Sequence, residues 1–262
     1  MISLHSVSSI DELRELREEY GKGLPYAQDL NIEENIWDSD YYQIEYDSKP
    51  AGYACIDSRK ILWEFYLVEE ACRYAQVIFK YLIDTNYITA AECKTYDYLL
   101  MSLCHDFQKA AEGSAYLFRD YNKITSFGAQ FDNITFRLAE IGDYHRLEEL
   151  NQITEDVDFF HDLKEDISNQ EVFVFLKEDQ LLGAGTIKKI WKDQNYRDIG
   201  MVVAKDQRKK GIGTFILVKL KEYCDDHELI PVCGCWYYHY SSKKTLEKAG
   251  FISKHRVIHF TF

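Results

Sequence analysis

Between Val202 and Thr214 a β-branched apolar run passes through a short basic turn into an amphipathic helix: Val202-Val203-Ala204-Lys205-Asp206-Gln207-Arg208-Lys209-Lys210-Gly211-Ile212-Gly213-Thr214. No other stretch constrains the chain as much. A strand must end near Val203, a helix must begin beside Gly211, and the face formed by Ile212, Phe215, Ile216, Leu220 and Tyr223 must find a core. A helix start presents N–H groups without intrahelical acceptors and a partial positive charge. Gly211 and Gly213 lack side chains, so an anion such as a pyrophosphate can approach this backbone closely. Arg208, Lys209 and Lys210 add positive charge. The turn is not a P-loop, which needs G-x-x-x-x-G-K-[ST], nor a dinucleotide fingerprint, because Ile216 stands where the third glycine is required.

The surrounding pattern occurs twice, in the same order. In the first half, Ser9 and Glu12 form a capping box ahead of Ile10, Leu13, Leu16 and Tyr20, which predicts a helix over 9–20. Strands are expected at 41–46 and 51–56 across the turn Asp47-Ser48-Lys49-Pro50, then at 61–68. A helix through Ala75–Leu82, a strand at 89–95 and a helix at 98–107 close the unit. The second half repeats this with a strand at 134–138 and a helix capped by Asp143 that carries Tyr144, Leu147, Leu150 and Ile153. Strands follow at 171–176, 182–187 and 199–203, then a helix at 211–223, a strand at 232–237, a helix at 242–249 and a last strand at 256–260. The turns Ser48–Gly52 and Asp179–Gly183 align, 131 residues apart. We read an α/β (α+β) duplication in two domains, 1–125 and 132–262, each a central mixed, mostly antiparallel sheet flanked by helices. The join near 120–133 carries Phe127 and Phe131 and few flexible residues, so a packed connection is expected.

A formal net charge of −13 argues against binding a nucleic-acid backbone or an anionic membrane. No apolar run is long enough for a transmembrane helix, and the start Met1-Ile2-Ser3-Leu4-His5 is not a signal peptide. The seven cysteines are odd in number and irregular in spacing, which suits free thiols in a reducing cytoplasm. Cys233-Gly234-Cys235 is the one close pair; Cys224, His227 and His239 near it make no zinc spacing, so no metal is expected.

Arg208-x-x-Gly211-x-Gly213, in its strand–turn–helix setting, resembles motif A of the GNAT family of N-acetyltransferases. Ser242-Lys243-Lys244-Thr245-Leu246-Glu247-Lys248-Ala249-Gly250-Phe251 is similar to the family's later S-x-x-x-x-x-K-x-G-F segment. The resemblance covers 134–262. The first half is similar only in element order, and its equivalent turn, Val68-Glu69-Glu70-Ala71-Cys72-Arg73-Tyr74-Ala75, has no R-x-x-G-x-G and carries two acids. It reads as a degenerate GNAT-like copy without a cofactor motif, which makes the chain a tandem GNAT protein.

The resemblance implies acetyl-CoA as acyl donor, lying where the strand at 199–203 splays from that at 232–237. It implies that backbone groups of Met201, Val202 and Val203 pair with the pantetheine arm. The N–H groups of Arg208, Lys209, Lys210, Gly211, Ile212, Gly213 and Thr214 would hold the pyrophosphate, with Ser242 nearby, though Ser242 reads first as a helix N-cap. It implies direct attack by an amine on the thioester, which requires a deprotonated amine, a polarised carbonyl and a neutralised thiolate. The sequence departs from the family at the acid. Leu246 stands where many members place a tyrosine, and His239 where an asparagine is common. Tyr237 also lies in this region, and the catalytic candidates are Tyr238, His239 and Tyr240. The base is also displaced: Ile199 holds the usual position and the adjacent Asp198 points the other way. Glu155, Asp156, Asp158 and His161 are candidates to line an acceptor site, although each reads first as part of a solvated acidic loop. The resulting expectation is an acetyl-CoA-dependent N-acetyltransferase acting on a primary amine of a small molecule or peptide, cytoplasmic, with a homodimer left open. The alternative is a non-catalytic acyl-CoA-binding module, motivated by Leu246.

Overall fold

The computed structural model describes residues 1–124, 131, 133–152, 159–160, 162–191 and 195–262. The chain divides into two compact units. The first comprises Met1–Leu117, Cys235–Tyr238 and Lys254–Phe262; the second comprises Phe118–Gly234 and His239–Ser253.

In chain order the first unit begins with β1 (Ile2–Val7), α1 (Arg14–Gly23) and α2 (Leu30–Trp37). It continues with β2 (Asp40–Tyr46), β3 (Lys49–Ile56), β4 (Ile61–Leu67) and α3 (Ala75–Asp84). Then come β5 (Ala90–Lys94), α4 (Tyr98–Phe107) and β6 (Ala110–Phe118). The expected capping box is present: Ser9 accepts from the Asp11 N–H and Glu12 accepts from the Ser9 N–H, opening a 3-10 turn that leads into α1. β1, α2 and β6 were not read from the sequence. Their apolar residues are too few or too irregular to show a period.

The second unit holds β7 (Asp120–Tyr121), β8 (Thr135–Leu138), α5 (Tyr144–Gln152) and α6 (Leu163–Ser168). β9 (Val172–Lys177), β10 (Gln180–Lys189), β11 (Tyr196–Val203) and α7 (Ile212–Asp226) follow. β12 (Ile230–Trp236), α8 (Tyr240–Lys248) and β13 (Phe251–Ile252) complete it. Asp143 does not cap α5 as expected. Its carboxylate accepts from the Glu140 N–H and from both terminal nitrogens of Arg137, so Glu140 takes the cap position one short turn earlier.

The last strand, β14 (His255–Thr261), corrects the sequence reading. Arg256–Phe260 was expected to close the second half. Instead β14 pairs antiparallel with β5 and with β6, giving the first unit the strand order β1-β2-β3-β4-β5-β14-β6. The strand lies between two partners, and Phe260 and Phe262 enter the core with Phe65, Phe79, Leu82, Leu100 and Cys104. Burying side chains of this size stabilises by about 1.5–3 kcal/mol each.

The second unit has the order β12-β11-β10-β9-β8, antiparallel except for the parallel pair β11–β12. Its α5–α6 side packs Leu147, Leu150, Phe160 and Ile167 against Val172, Val174, Ala184 and Val202. No helix among the described residues is long and apolar enough to cross a membrane.

Candidate functional site

After Val203 the chain makes one 3-10 turn, Lys205–Gln207, and an extended residue, Arg208. Lys209 then adopts a left-handed conformation (φ 64°), and so does Gly211 (φ 85°) immediately before α7. A side chain at 211 would be strained at that φ, which is the reason for glycine there. The first helical bond runs from the Phe215 N–H to the Gly211 carbonyl (3.1 Å). The N–H groups of Gly211, Ile212, Gly213 and Thr214 have no acceptor among the described residues. Consecutive unpaired N–H groups in such a turn form an anion-binding concavity.

Gly213 meets a different demand. A Cβ there would lie 3.0 Å from the Met201 sulfur, 3.1 Å from Thr245 Cγ2 and 3.4 Å from Val203 Cγ2. The glycine lets α7 seat its first turn against β11 and α8. Behind the turn, Phe131 stacks on Phe215 with ring centroids 4.7 Å apart. Arg208, Lys209 and Lys210 are exposed. Arg208 Nε bends back to the Val203 carbonyl (3.3 Å), and Lys210 Nζ donates to Gln207 Oε1 (3.2 Å).

β11 pairs with β12 at Tyr196–Ile230, Arg197–Pro231 and Asp198–Val232, and no further pair exists among the described residues. β11 nevertheless continues to Val203 and stays paired with β10 as far as Val203–Gly183. Ile199–Val203, which includes Met201, Val202 and Val203, is thus bonded along one edge. The two strands separate as the sequence implied. Along this stretch Met201 and Val203 turn toward α7. Val202 turns into the core beneath α5 and α6. By the two-residue period, Ile199, which is buried, shares the α7 face, and Asp198 and Gly200 share the opposite one.

The expected acid–base residues fare less well. Leu246 is buried in α8 and offers no proton. Tyr238 and Tyr240 are 68% and 59% exposed. His239 occupies the position before α8 without a side-chain bond to it, so Ser242, three residues on and inside the first turn, is not the N-cap. Tyr237 stacks on Tyr116 (4.8 Å, 4° between planes), its N–H donating to the Ser114 carbonyl; packing occupies it. Glu155, Asp156, Asp158 and His161 lie outside the described residues.

The sequence reading missed the α5–α6 side of the strand separation. Gly200, the second residue past the last β11–β12 pair, faces Thr186 across the β10–β11 ladder. A Cβ at 200 would sit 2.9 Å from Thr186 Oγ1 and 3.1 Å from the Phe159 ring. Asn151 Oδ1 fixes that ring's backbone by accepting from the N–H groups of Phe159 (2.8 Å) and Phe160 (3.3 Å).

The first unit has the same framework. β4 pairs parallel with β5 only at Ile61–Ala90 and Leu62–Ala91, then separates. Register places Cys55 and Glu64 where the second unit has Thr186 and Gly200, because Gly52–Leu67 corresponds to Gly183–Val203. Glu64 is fully buried and accepts from Arg17 Nε (2.7 Å), Arg17 Nη2 (3.2 Å), Gln28 Nε2 (2.9 Å) and Tyr53 Oη (2.8 Å). Arg17 Nη2 also reaches both oxygens of buried Glu33. Beside them Lys94 Nζ donates to Tyr20 Oη, which donates to Asp97. Burial alone would lower the Arg17 pKa, but Glu64 and Glu33 raise it above its ordinary value. Burial, reinforced by Glu64 and opposed by Arg17, pushes Glu33 up to about 7. The turn before α3 holds no glycine, and exposed Glu69 and Glu70 lie in its first turn.

Two family profiles match the chain: an acetyltransferase (GNAT) domain over residues 9–121 and the acetyltransferase (GNAT) family over 139–251. The chain belongs to the GNAT family and carries two of its domains in tandem. The acetyltransferases of this family use acetyl-CoA as cosubstrate. No curated protein matches the chain. Among solved structures, a GNAT-family acetyltransferase from Colwellia psychrerythraea shares the fold with a TM-score of 0.88 at 20% identity, covering 99% of each chain. A tandem GNAT protein from the clavulanic acid biosynthesis pathway aligns over 100% of this chain and 98% of its own (TM-score 0.59, 10% identity). A GCN5-related N-acetyltransferase from Sphaerobacter thermophilus covers 98% and 94% (TM-score 0.58, 12% identity).

Proposed function

We propose that the second unit binds acetyl-CoA and transfers its acetyl group to a primary amine of a small molecule or peptide. The observation that carries this reading is the row of unpaired N–H groups from Gly211 to Thr214, set beside a strand that has lost one neighbour. The residues fit the cosubstrate. Gly211 and Gly213 clear the approach to the turn, Arg208, Lys209 and Lys210 supply cationic charge, and the free edge of Met201–Val203 can pair with the amides of a pantetheine arm. When bound, acetyl-CoA supplies the acyl carbon and a thiolate leaving group. The protein holds the anionic end of the donor and orients its arm along β11. Exposed Tyr238, His239 and Tyr240 remain the proposed proton-transferring groups, with Ser242 proposed beside the donor. The residues 1–125 are proposed to form a GNAT-like copy without cofactor, and 132–262 the acetyl-CoA-binding copy, which lends its last strand to the first unit. The acidic balance favours a cationic acceptor over nucleic acid.

Calorimetric titration of acetyl-CoA into the wild type and into Gly211→Glu and Arg208→Ala tests this. Micromolar binding by the wild type is expected, weakened about 100-fold or more by Gly211→Glu, because a carboxylate would occupy the pyrophosphate position. An unchanged affinity in both variants would remove the donor from this turn.

A further inference from the structure

We propose that Phe131 is a positioning residue for acetyl-CoA: its ring holds the Gly211 turn in the conformation that presents the N–H groups of Gly211–Thr214. This rests on the acetyl-CoA reading and adds to it the residue that keeps the turn ready. Among the described residues outside the turn, the atom nearest a Cβ built on Gly211 is Phe131 Cζ, at 3.3 Å. The face of the same ring stacks on Phe215, with centroids 4.7 Å apart and 7° between planes. Phe215 is the residue whose N–H closes the first helical bond onto the Gly211 carbonyl (3.1 Å). One side chain therefore lies against both residues of the bond that starts α7.

The turn needs such a hold. Lys209 (φ 64°) and Gly211 (φ 85°) are both left-handed, and a residue other than glycine persists there only where its surroundings fix it. The polar bonds of the turn are made by exposed side chains, Arg208 to the Val203 carbonyl and Lys210 to Gln207. Phe131 adds an apolar contact. Phe215 is itself anchored: it is buried, and Phe175 meets it edge-on at 6.3 Å. The ring also stands clear of the anion. Residues four apart share a helix face, so a ring spanning 211 and 215 runs alongside the first turn of α7, while the N–H groups there point back along the axis.

Affinity then follows from how often the turn is ready. A ligand that binds one conformation has an apparent affinity reduced by the fraction of protein in that conformation. With Phe131 in place that fraction is near one. Without it Gly211, a residue with wide backbone freedom, lets the turn and the first helical bond open. The donor must then order the turn as it binds, and its dissociation constant rises. Phe131 acts on the donor through Gly211 and touches no reacting group.

The test is calorimetric titration of acetyl-CoA into the wild type, Phe131→Ala, Phe131→Leu and Phe136→Ala, with amide hydrogen exchange of the Phe215 N–H in each ligand-free protein. Phe136 is the control: it packs in the same aromatic layer, against Phe173 (5.0 Å) and Phe175 (4.9 Å), and does not border Gly211. Phe131→Ala is expected to raise the acetyl-CoA dissociation constant about tenfold, the strength of one stacked pair, and to speed Phe215 exchange by about the same factor. Phe131→Leu, which keeps apolar bulk beside Gly211, should recover part of the loss. Phe136→Ala should lower the melting temperature and leave the dissociation constant within about twofold. A dissociation constant for Phe131→Ala within about twofold of the wild type would overturn the proposal. So would tighter binding, which would make the ring an obstruction, or equal weakening by Phe136→Ala, which would make its role general packing. If the wild type binds no acetyl-CoA, the acetyl-CoA reading is what fails. Exchange of the Phe215 N–H then decides the hold on the turn: a rate about tenfold faster in Phe131→Ala upholds it, and an unchanged rate overturns it.

Discussion

The two units differ most where they are most alike. Each has an antiparallel hairpin with glycine at one register, Gly52 opposite Leu67 and Gly183 opposite Val203, and each follows it with a briefly paired parallel strand. In the first unit the turn before the next helix carries Glu69 and Glu70, and the sheet position three residues before Leu67 is Glu64 with its ring of donors. In the second unit the turn carries Gly211 and Gly213, and the corresponding sheet position is Gly200. The fold permits both solutions. The first unit surrounds Glu64 with its own donors, and the second leaves the N–H groups of Gly211–Thr214 without acceptors among the described residues. Function follows from that choice, not from the shared architecture.

The comparison breaks most readily at Arg17. Arg17→Met strands Glu64 and Glu33 in the core, and we expect about 3–5 kcal/mol less stability by chemical denaturation. The affinity of the folded protein for acetyl-CoA should not change. Next comes the turn itself. Gly211→Glu should weaken acetyl-CoA about 100-fold or more, roughly 2.7 kcal/mol, whereas the double change Glu69→Lys, Glu70→Lys should create no second acetyl-CoA site in a calorimetric count. A second site would show that charge, and not backbone geometry, separates the units.

Glu33 sharpens the contrast through pH. Its folded pKa, about 7, lies above the ordinary carboxylate value of 4.5. The folded state therefore binds more protons between these values, so stability is fullest below about 4.5 and is lost as pH rises through 7. We expect a slope of about 1 kcal/mol per pH unit near pH 6, and a flattened profile in Glu33→Gln. The caps give the smallest effect. Ser9→Ala in the first unit should cost about 1 kcal/mol, and Asp143→Ala in the second somewhat more, since Arg137 loses its partner as well. Thermal melts of the two variants measure the difference.

Much of this was legible before any coordinates. The Ser9–Glu12 box, the two hairpins, the helix at 98–107 and the strand–turn–helix around Gly211 are local patterns, and local patterns are written in adjacent residues. Asp143 and Ser242 were misread because a cap depends on where the helix starts, and the helical backbone begins at Ile141 and at Tyr240, ahead of both residues. The acid–base residues expected around 237–240 were proximity arguments; the structure shows Tyr237 stacked and Leu246 buried.

The sequence by itself determined the repeat, the family resemblance and the anion-ready helix start, because each depends on residues a few positions apart. Only the tertiary structure decided the rest. It assigned β14 to the first unit, since strand pairing is a choice among distant partners that alternation cannot name. It gathered Arg17, Glu33, Glu64, Lys94 and Asp97 into one buried network, and set Thr186 against Gly200 and Phe159. Those groups are far apart in the chain, and only the register of the sheet and the burial of charge bring them together.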